Sequence, residues 1–282
     1  MAGIFGAGIV TSLEEEDVYP YIEAIYGSSA GATIGAYFLA NQSKLGSSIF
    51  YEDLIHNFIT PSYVLLGIYD RAWNKFIAPI PRSKIRNPVD IDYVADIITR
   101  SKRIDVNSIR QRNIPLHAHV FNLQESKSEF INVTNHEDPF RILKSAISAA
   151  PYYFSPDLKY IDGNITNCFP ITEILERYPH HKVISIMNIV PNKIIRRSLK
   201  GILEGAVASL MYSIKIWKVY LLRDFISKRE MRKAKLNPRV TIISPSKKLK
   251  LWPNTTRKEK LLVAYEAGRQ EGKKLALMLK KI

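Results

Sequence analysis

The order of apolar and polar positions predicts strands alternating with helices. Residues 3–16 (GIFGAGIVTSLEEE) read as a helix in which Ile4, Phe5, Ile9, Val10 and Leu13 are apolar. Gly3, Gly6 and Gly8 are unusual there. Each glycine costs a helix up to ~1 kcal/mol against alanine, so close packing is the expected reason for them. Tyr21 to Tyr26 has the character of a short buried strand, and Ala30 to Asn41 reads as a helix carrying Ile34, Phe38 and Leu39. Residues 47–90 are rich in aromatics and broken by Pro61, Pro79, Pro81 and Pro88, and residues 91–100 predict a helix. Ile114 to Leu123 alternates like a strand, and Phe130 to Thr134 follows as a second strand after a polar turn. Asp138 to Ala150 predicts a helix with Asp138 as N-cap, Pro139 in the first turn and a stop at Pro151. A short helix is expected over Ile171–Tyr178 and a buried strand over Lys182–Val190. The longest amphipathic pattern, residues 201–226, predicts one helix, either packed on the sheet or lying on an anionic bilayer. Arg239–Ser244 is a further strand, and Thr256–Ile282 is a terminal helix with a basic outer face.

This alternation predicts a three-layer α/β/α fold around a mostly parallel central sheet. The expected division is one domain over 1–195, with an aromatic helical cap at about 47–100. A basic helical extension, 196–282, is expected to pack on the same domain.

Composition adds charge and compartment. There are 41 Lys and Arg against 26 Asp and Glu, a net charge of +15, concentrated in 196–200, 228–235, 247–250 and 257–282. Such a balance points to a polyanionic partner, and an anionic membrane surface is the expected one. Nucleic acid is not expected, because no zinc-ligand spacing, RNP-like strand or helix-turn-helix pattern is present. The single cysteine, Cys168, excludes an internal disulfide framework and fits a reducing compartment. No secretory leader pattern opens the sequence and no run of about 18 uncharged apolar residues occurs. The expectation is a cytoplasmic protein that attaches peripherally to membranes.

The candidate chemistry sits at Gly27-Ser28-Ser29-Ala30-Gly31, a G-x-S-x-G between the first strand and its helix. A serine on a sharp strand-to-helix turn is lifted above the sheet edge, and its flanking positions, Gly27 and Gly31, are expected to be small because backbone and helix approach closely. The helix N-terminus offers N–H groups to a developing oxyanion. Ser29 needs a base. His180 and His181, the only histidines after Asp162, begin a strand rather than end one, so a Ser-Asp-His triad fits poorly. A dyad in which Asp162 takes the proton directly remains, provided the carboxylate is shielded; Tyr152, Tyr153, Phe154 and Tyr160 are the aromatics expected to shield it. His117 and His119 share one strand face but have no third ligand nearby, so they are read as structural and no metal is expected.

These residues carry a resemblance. GSSAG on a strand-turn-helix, Ser148-Ala149-Ala150-Pro151 after a helix and Asp162-Gly163 about a dozen residues later resemble the patatin-like phospholipases. Residues 3–9 are similar to the helix that opens that family's domain, and LLVAYEAGRQEGKK is similar to the tail of bacterial members. The resemblance covers nearly the whole chain. It implies a Ser29 nucleophile, an Asp162 base followed by Gly163, hydrolysis of acyl esters in phospholipids or related lipids, and no cofactor. The family usually opens with a strand and a G-G-G-x-R/K-G loop that supplies the oxyanion hole. Here Gly3 matches as its last glycine, with Ala30 as the expected second donor, and Ala2 stands where the basic residue belongs. The remaining glycines would lie before Met1, which implies either a sequence that starts late or a weak or inactive lipid- or protein-binding relative. Asn164 stands where many members have glycine or alanine.

Overall fold

In the computed structural model the residues described are 1–282 apart from 2, 80, 82–83, 191–198, 213, 250, 253 and 282. Helix α1 (Ile4–Glu15) leads through a 3-10 turn at Tyr19–Tyr21 into β1 (Ile25–Ser28) and α2 (Ala30–Leu39). The strand is shorter than predicted because Tyr19–Tyr21 closes a 3-10 turn whose first residue is anchored in the core. The Tyr19 ring stacks on Phe38, and its hydroxyl donates to the Phe38 carbonyl at 2.8 Å. Helices α3 (Ser43–Glu52), α4 (Leu54–Asn57), α5 (Tyr63–Phe76), α6 (Ile91–Asp96, continued by a π turn to Ser101) and α7 (Val106–Arg112) follow. Strand β2 (Leu116–Asn122) forms a hairpin with β3 (Lys127–Asn132). This second strand starts three residues earlier than its apolar run, because the polar Lys127–Glu129 pair with β2 at the solvated end of the hairpin.

Helix α8 (Pro139–Ile147) starts as predicted, with the Asp138 carboxylate accepting the Arg141 N–H at 3.0 Å. Strand β4 (Tyr160–Asp162), α9 (Ile171–Arg177) and β5 (Val183–Ile186) come next. The single helix expected over 201–226 is two, α10 (Leu199–Met211) and α11 (Ile214–Leu236). Folding back as a hairpin lets Ala208 of α10 and Ile216 and Tyr220 of α11 share one buried cluster with Phe121 and Ile161. Strand β6 (Val240–Ile243) and helix α12 (Lys258–Leu279) complete the chain. Ala2 and residues 196–198 of the basic run 196–200 lie outside the described residues.

The fold is α/β and three-layered. The parallel pairing expected of alternating strands and helices holds for β1 with β2 and for β5 with β6, while β3 and β4 pair with β2 antiparallel. The β5–β6 pair forms its own two-stranded sheet, whose Ile184, Ile186 and Ile243 pack against the main core. The glycines of α1 have the expected cause. A Cβ on Gly8 would lie 2.2 Å from the Tyr265 carbonyl oxygen of α12, and one on Gly6 would lie 2.6 Å from Asn188 Oδ1. That oxygen instead accepts the Gly6 N–H at 2.9 Å, satisfying a first-turn donor that has no partner within the helix. No helix among the described residues is long and apolar enough to cross a membrane.

Candidate active site

Ser29 follows β1 and stands at the N-cap of α2 in a conformation that L residues rarely adopt, φ 53° and ψ −131°. Backbone strain of this kind, ~1–3 kcal/mol, persists only where the surroundings enforce it. Gly27 is one enforcer: a Cβ there would sit 2.4 Å from Ala32 Cα, so β1 and α2 meet at a distance only glycine permits. Gly31 is different. A Cβ there meets nothing within 4 Å, so the expectation of close approach holds on one side of the serine and not on the other. Gly27→Ala should therefore lower the melting temperature by many degrees. Gly31→Ala should leave it unchanged or raise it slightly, since alanine is favoured in helices by up to ~1 kcal/mol. Thermal melts of the two variants check this, and equal losses would contradict it.

The sheet register brings Asp162 to the serine. Strands β1 and β4 lie end to end on the edge of β2 that faces away from β3. Ser28 pairs with His119, and Asp162 pairs with the next residue, Val120. Because β1 runs parallel to β2 and β4 antiparallel, their carboxyl ends point at each other. The two side chains were expected to reach one edge of a parallel sheet; they meet instead at this junction. The Ser29 side chain lies close enough to the Asp162 carboxylate to favour its charged form by hydrogen bonding.

Asp162 is 3% exposed. Burial dominates its titration and pushes the carboxyl up to about 6, against the smaller lowering effects of the Asn164 N–H, Ser29 and the Arg223 charge. The aromatics predicted to shield it hold contacts of their own. The Tyr152 hydroxyl bonds Glu204, the Tyr153 hydroxyl bonds Asp92, and Phe154 packs on Tyr212. Flanking Asp162 are also Ile161 and Ile165, within the cluster that includes Phe121 and Tyr220. The Asp162 N–H is held by the Ser148 carbonyl at 3.1 Å, which gives the Ser148–Pro151 segment a direct part in placing the carboxylate.

A hydrogen-bonded chain links the two loops, and sequence reasoning missed it. Ser28 Oγ donates to Asn164 Oδ1 at 2.7 Å and lies 3.2 Å from His119 Nδ1, while the Asn164 N–H donates to Asp162 Oδ1 at 3.0 Å. With the Ser28 proton committed to Asn164, His119 is the donor, which assigns the tautomer protonated on Nδ1. Burial pulls the His119 pKa down to about 4, so the ring stays neutral. Gly163 makes room for it, since a Cβ there would lie 2.5 Å from His119 Nδ1. Two signals were present in the sequence: the first serine of GSSAG, Ser28, and the departure at Asn164.

Gly3 and Ala30 are also brought together. Gly3 caps α1, Ala30 opens α2, and a Cβ on Gly3 would lie 3.2 Å from that of Ala30. Two surface hollows lie elsewhere. One of about 690 Å³ is lined by residues including Thr172, Glu176, Lys233 and Arg239, and one of about 240 Å³ by residues including Leu123, Phe154, Leu158 and Met211. Among the described residues no group of three or more His, Cys, Asp or Glu side chains could hold a metal. The sequence model of the patatin-like phospholipase family matches residues 1–175, the stretch that contains both Ser29 and Asp162. No curated protein matches the chain.

Proposed function

Because the chain belongs to the patatin-like phospholipase family, whose members are generally hydrolases of lipid esters, we propose that it cleaves acyl esters of phospholipids through a Ser29–Asp162 dyad. The observation that carries this reading is the junction of β1 and β4, where a strained serine faces a buried carboxylate whose pKa is raised to about 6. A base of that strength is ionised at neutral pH yet far more willing to take a proton than an ordinary aspartate. Asp162 accepts the Ser29 proton as Oγ attacks the ester carbonyl. The oxyanion forms at the N-terminus of α2, with the Ala30 and Gly3 N–H groups as its donors. Protonated Asp162 then gives the proton to the departing alcohol oxygen. Water, deprotonated by the same carboxylate, releases the acyl group from Ser29. No metal or cofactor takes part in this scheme.

A fluorophosphonate probe tests the nucleophile. It should label wild-type protein and not Ser29→Ala, with a labelling rate that rises with pH through about 6 as Asp162 loses its proton. A blank on folded wild-type protein would favour a non-catalytic lipid- or protein-binding relative. Labelling that persists in Ser29→Ala would assign the chemistry to another residue.

A further inference from the structure

Helix α5 carries its polarity inside out. Its inward face holds Gly67, Asp70 and Arg71, the latter two 4% and 2% exposed. Its outward face carries Leu65, Tyr69 and Trp73 at four-residue spacing, one stripe of the helix, exposed by 78%, 58% and 38%. Val64 and Leu66 beside it and Ile77 just beyond the helix are exposed as well. A helix free to roll in water would turn the other way.

It is not free to roll. Asp70 accepts from the Arg86 backbone N–H at 3.0 Å, from Nε at 2.8 Å and from Nη2 at 2.5 Å. Arg71 Nη2 donates to Asn87 Oδ1 at 2.9 Å, and Asn87 is clamped to both backbone groups of Phe154. A Cβ on Gly67 would lie 2.4 Å from the Arg86 carbonyl oxygen, so the helix is pressed against the segment that pins it. Rotating the apolar stripe inward would break all of these bonds and leave the Arg86 and Asn87 groups without their partners on the helix. The rotation is built in, and it presents aliphatic and aromatic side chains to the outside.

We infer that the outward face of α5 is the surface by which this protein docks on an anionic lipid bilayer. Trp and Tyr on an apolar stripe suit the headgroup boundary, where one end of the side chain is wet and the other apolar. The net charge of +15 decides between candidate occupants: it attracts anionic headgroups and repels a second copy of the same chain. The choice of lipid rests on the proposed substrate class, but the docking surface itself does not require catalysis.

The experiment uses the full chain carrying Ser29→Ala, so that no lipid is consumed and the outcome is independent of the hydrolase reading. Binding to vesicles of equal parts phosphatidylglycerol and phosphatidylcholine is measured by co-sedimentation at physiological ionic strength. Adding Leu65→Glu should raise the lipid concentration for half-binding at least tenfold, and pure phosphatidylcholine vesicles should bind more weakly than the mixture. Brominated acyl chains should quench the tryptophan emission, and Trp73→Phe should remove more than half of that quenching; this second readout stands even if Leu65→Glu folds poorly. Unchanged binding by folded Leu65→Glu together with unchanged quenching in Trp73→Phe would overturn the assignment. So would a wild-type dimer that Leu65→Glu converts to monomer, since the stripe would then belong to a second copy.

Discussion

Asp162→Asn is expected to abolish ester hydrolysis and at the same time stabilise the fold. On the proposed mechanism the carboxylate is the proton acceptor for Ser29, and an amide cannot accept that proton. Loss of a general base that works in both half-reactions costs at least about a thousandfold in turnover. The stability effect follows from burial. The carboxyl titrates at about 6 in the folded chain against an ordinary 3.8. Well below pH 3.8, folded and unfolded states both hold the proton and the site contributes nothing. As the pH rises toward 6 the unfolded chain ionises first, so the folded state loses stability. Above 6 the penalty is fully present, on the order of 3 kcal/mol for a shift of about two units. Asparagine is neutral throughout, and its carbonyl still accepts the Asn164 N–H. The melting temperature of Asp162→Asn should therefore exceed that of wild type at pH 7.5, with a gap that narrows toward pH 4.5. An activity loss with a pH-independent fall in melting temperature would mean that the carboxylate is structural.

Local chemistry was the part of this fold readable from sequence. The β1–Ser29–α2 turn is specified within eight residues, and α8 announces itself through Asp138 and Pro139. The three glycines of α1 were legible as packing residues because each is costly unless something must come close. What failed was non-local. Nothing in Lys159-Tyr160-Ile161-Asp162 says that β4 runs antiparallel to β2, because the direction of a three-residue strand is set by what it pairs with. The same holds for the candidate site. Ser29 and Asp162 stood out by motif, but the Ser28–His119 contact spans 91 residues and exists only once β1 and β2 align in register. The break between α10 and α11 carries neither Gly nor Pro, and the amphipathic pattern runs across it. The hairpin is selected by what Ile216 and Tyr220 bury against, which periodicity does not encode.

Gly268→Ala is expected to destabilise the protein by about 3 kcal/mol, although the same change in an exposed helix interior stabilises by up to ~1 kcal/mol. The sign is the test. Helices α1 and α12 interlock by placing glycines of each against carbonyl groups of the other. A Cβ on Gly268 would lie 2.1 Å from the Phe5 carbonyl oxygen, one on Gly272 2.5 Å from that of Ile9, and one on Gly8 2.2 Å from that of Tyr265. These are backbone atoms, so no side chain can swing aside, and the helices must part by roughly 1 Å along the contact to reach ordinary carbon–oxygen separation. Parting them loosens Leu261, Ala264, Leu275 and Ala276 from Ile4, Phe5 and Ile9, all buried in the main core. It also strains the Arg269–Glu15 and Lys280–Glu16 pairs at the rim, which are exposed enough to matter little by themselves. For a chain of this size such a loss lowers the melting temperature by roughly 6–12 °C. The strain travels to the candidate site, because α1 begins at Gly3, which packs against Ala30 beside Ser29. Fluorophosphonate labelling of Gly268→Ala should consequently slow even at temperatures where the variant remains folded. A melting temperature that rises would show that the two helices part without cost, and that α12 is held to the domain by something other than this close contact.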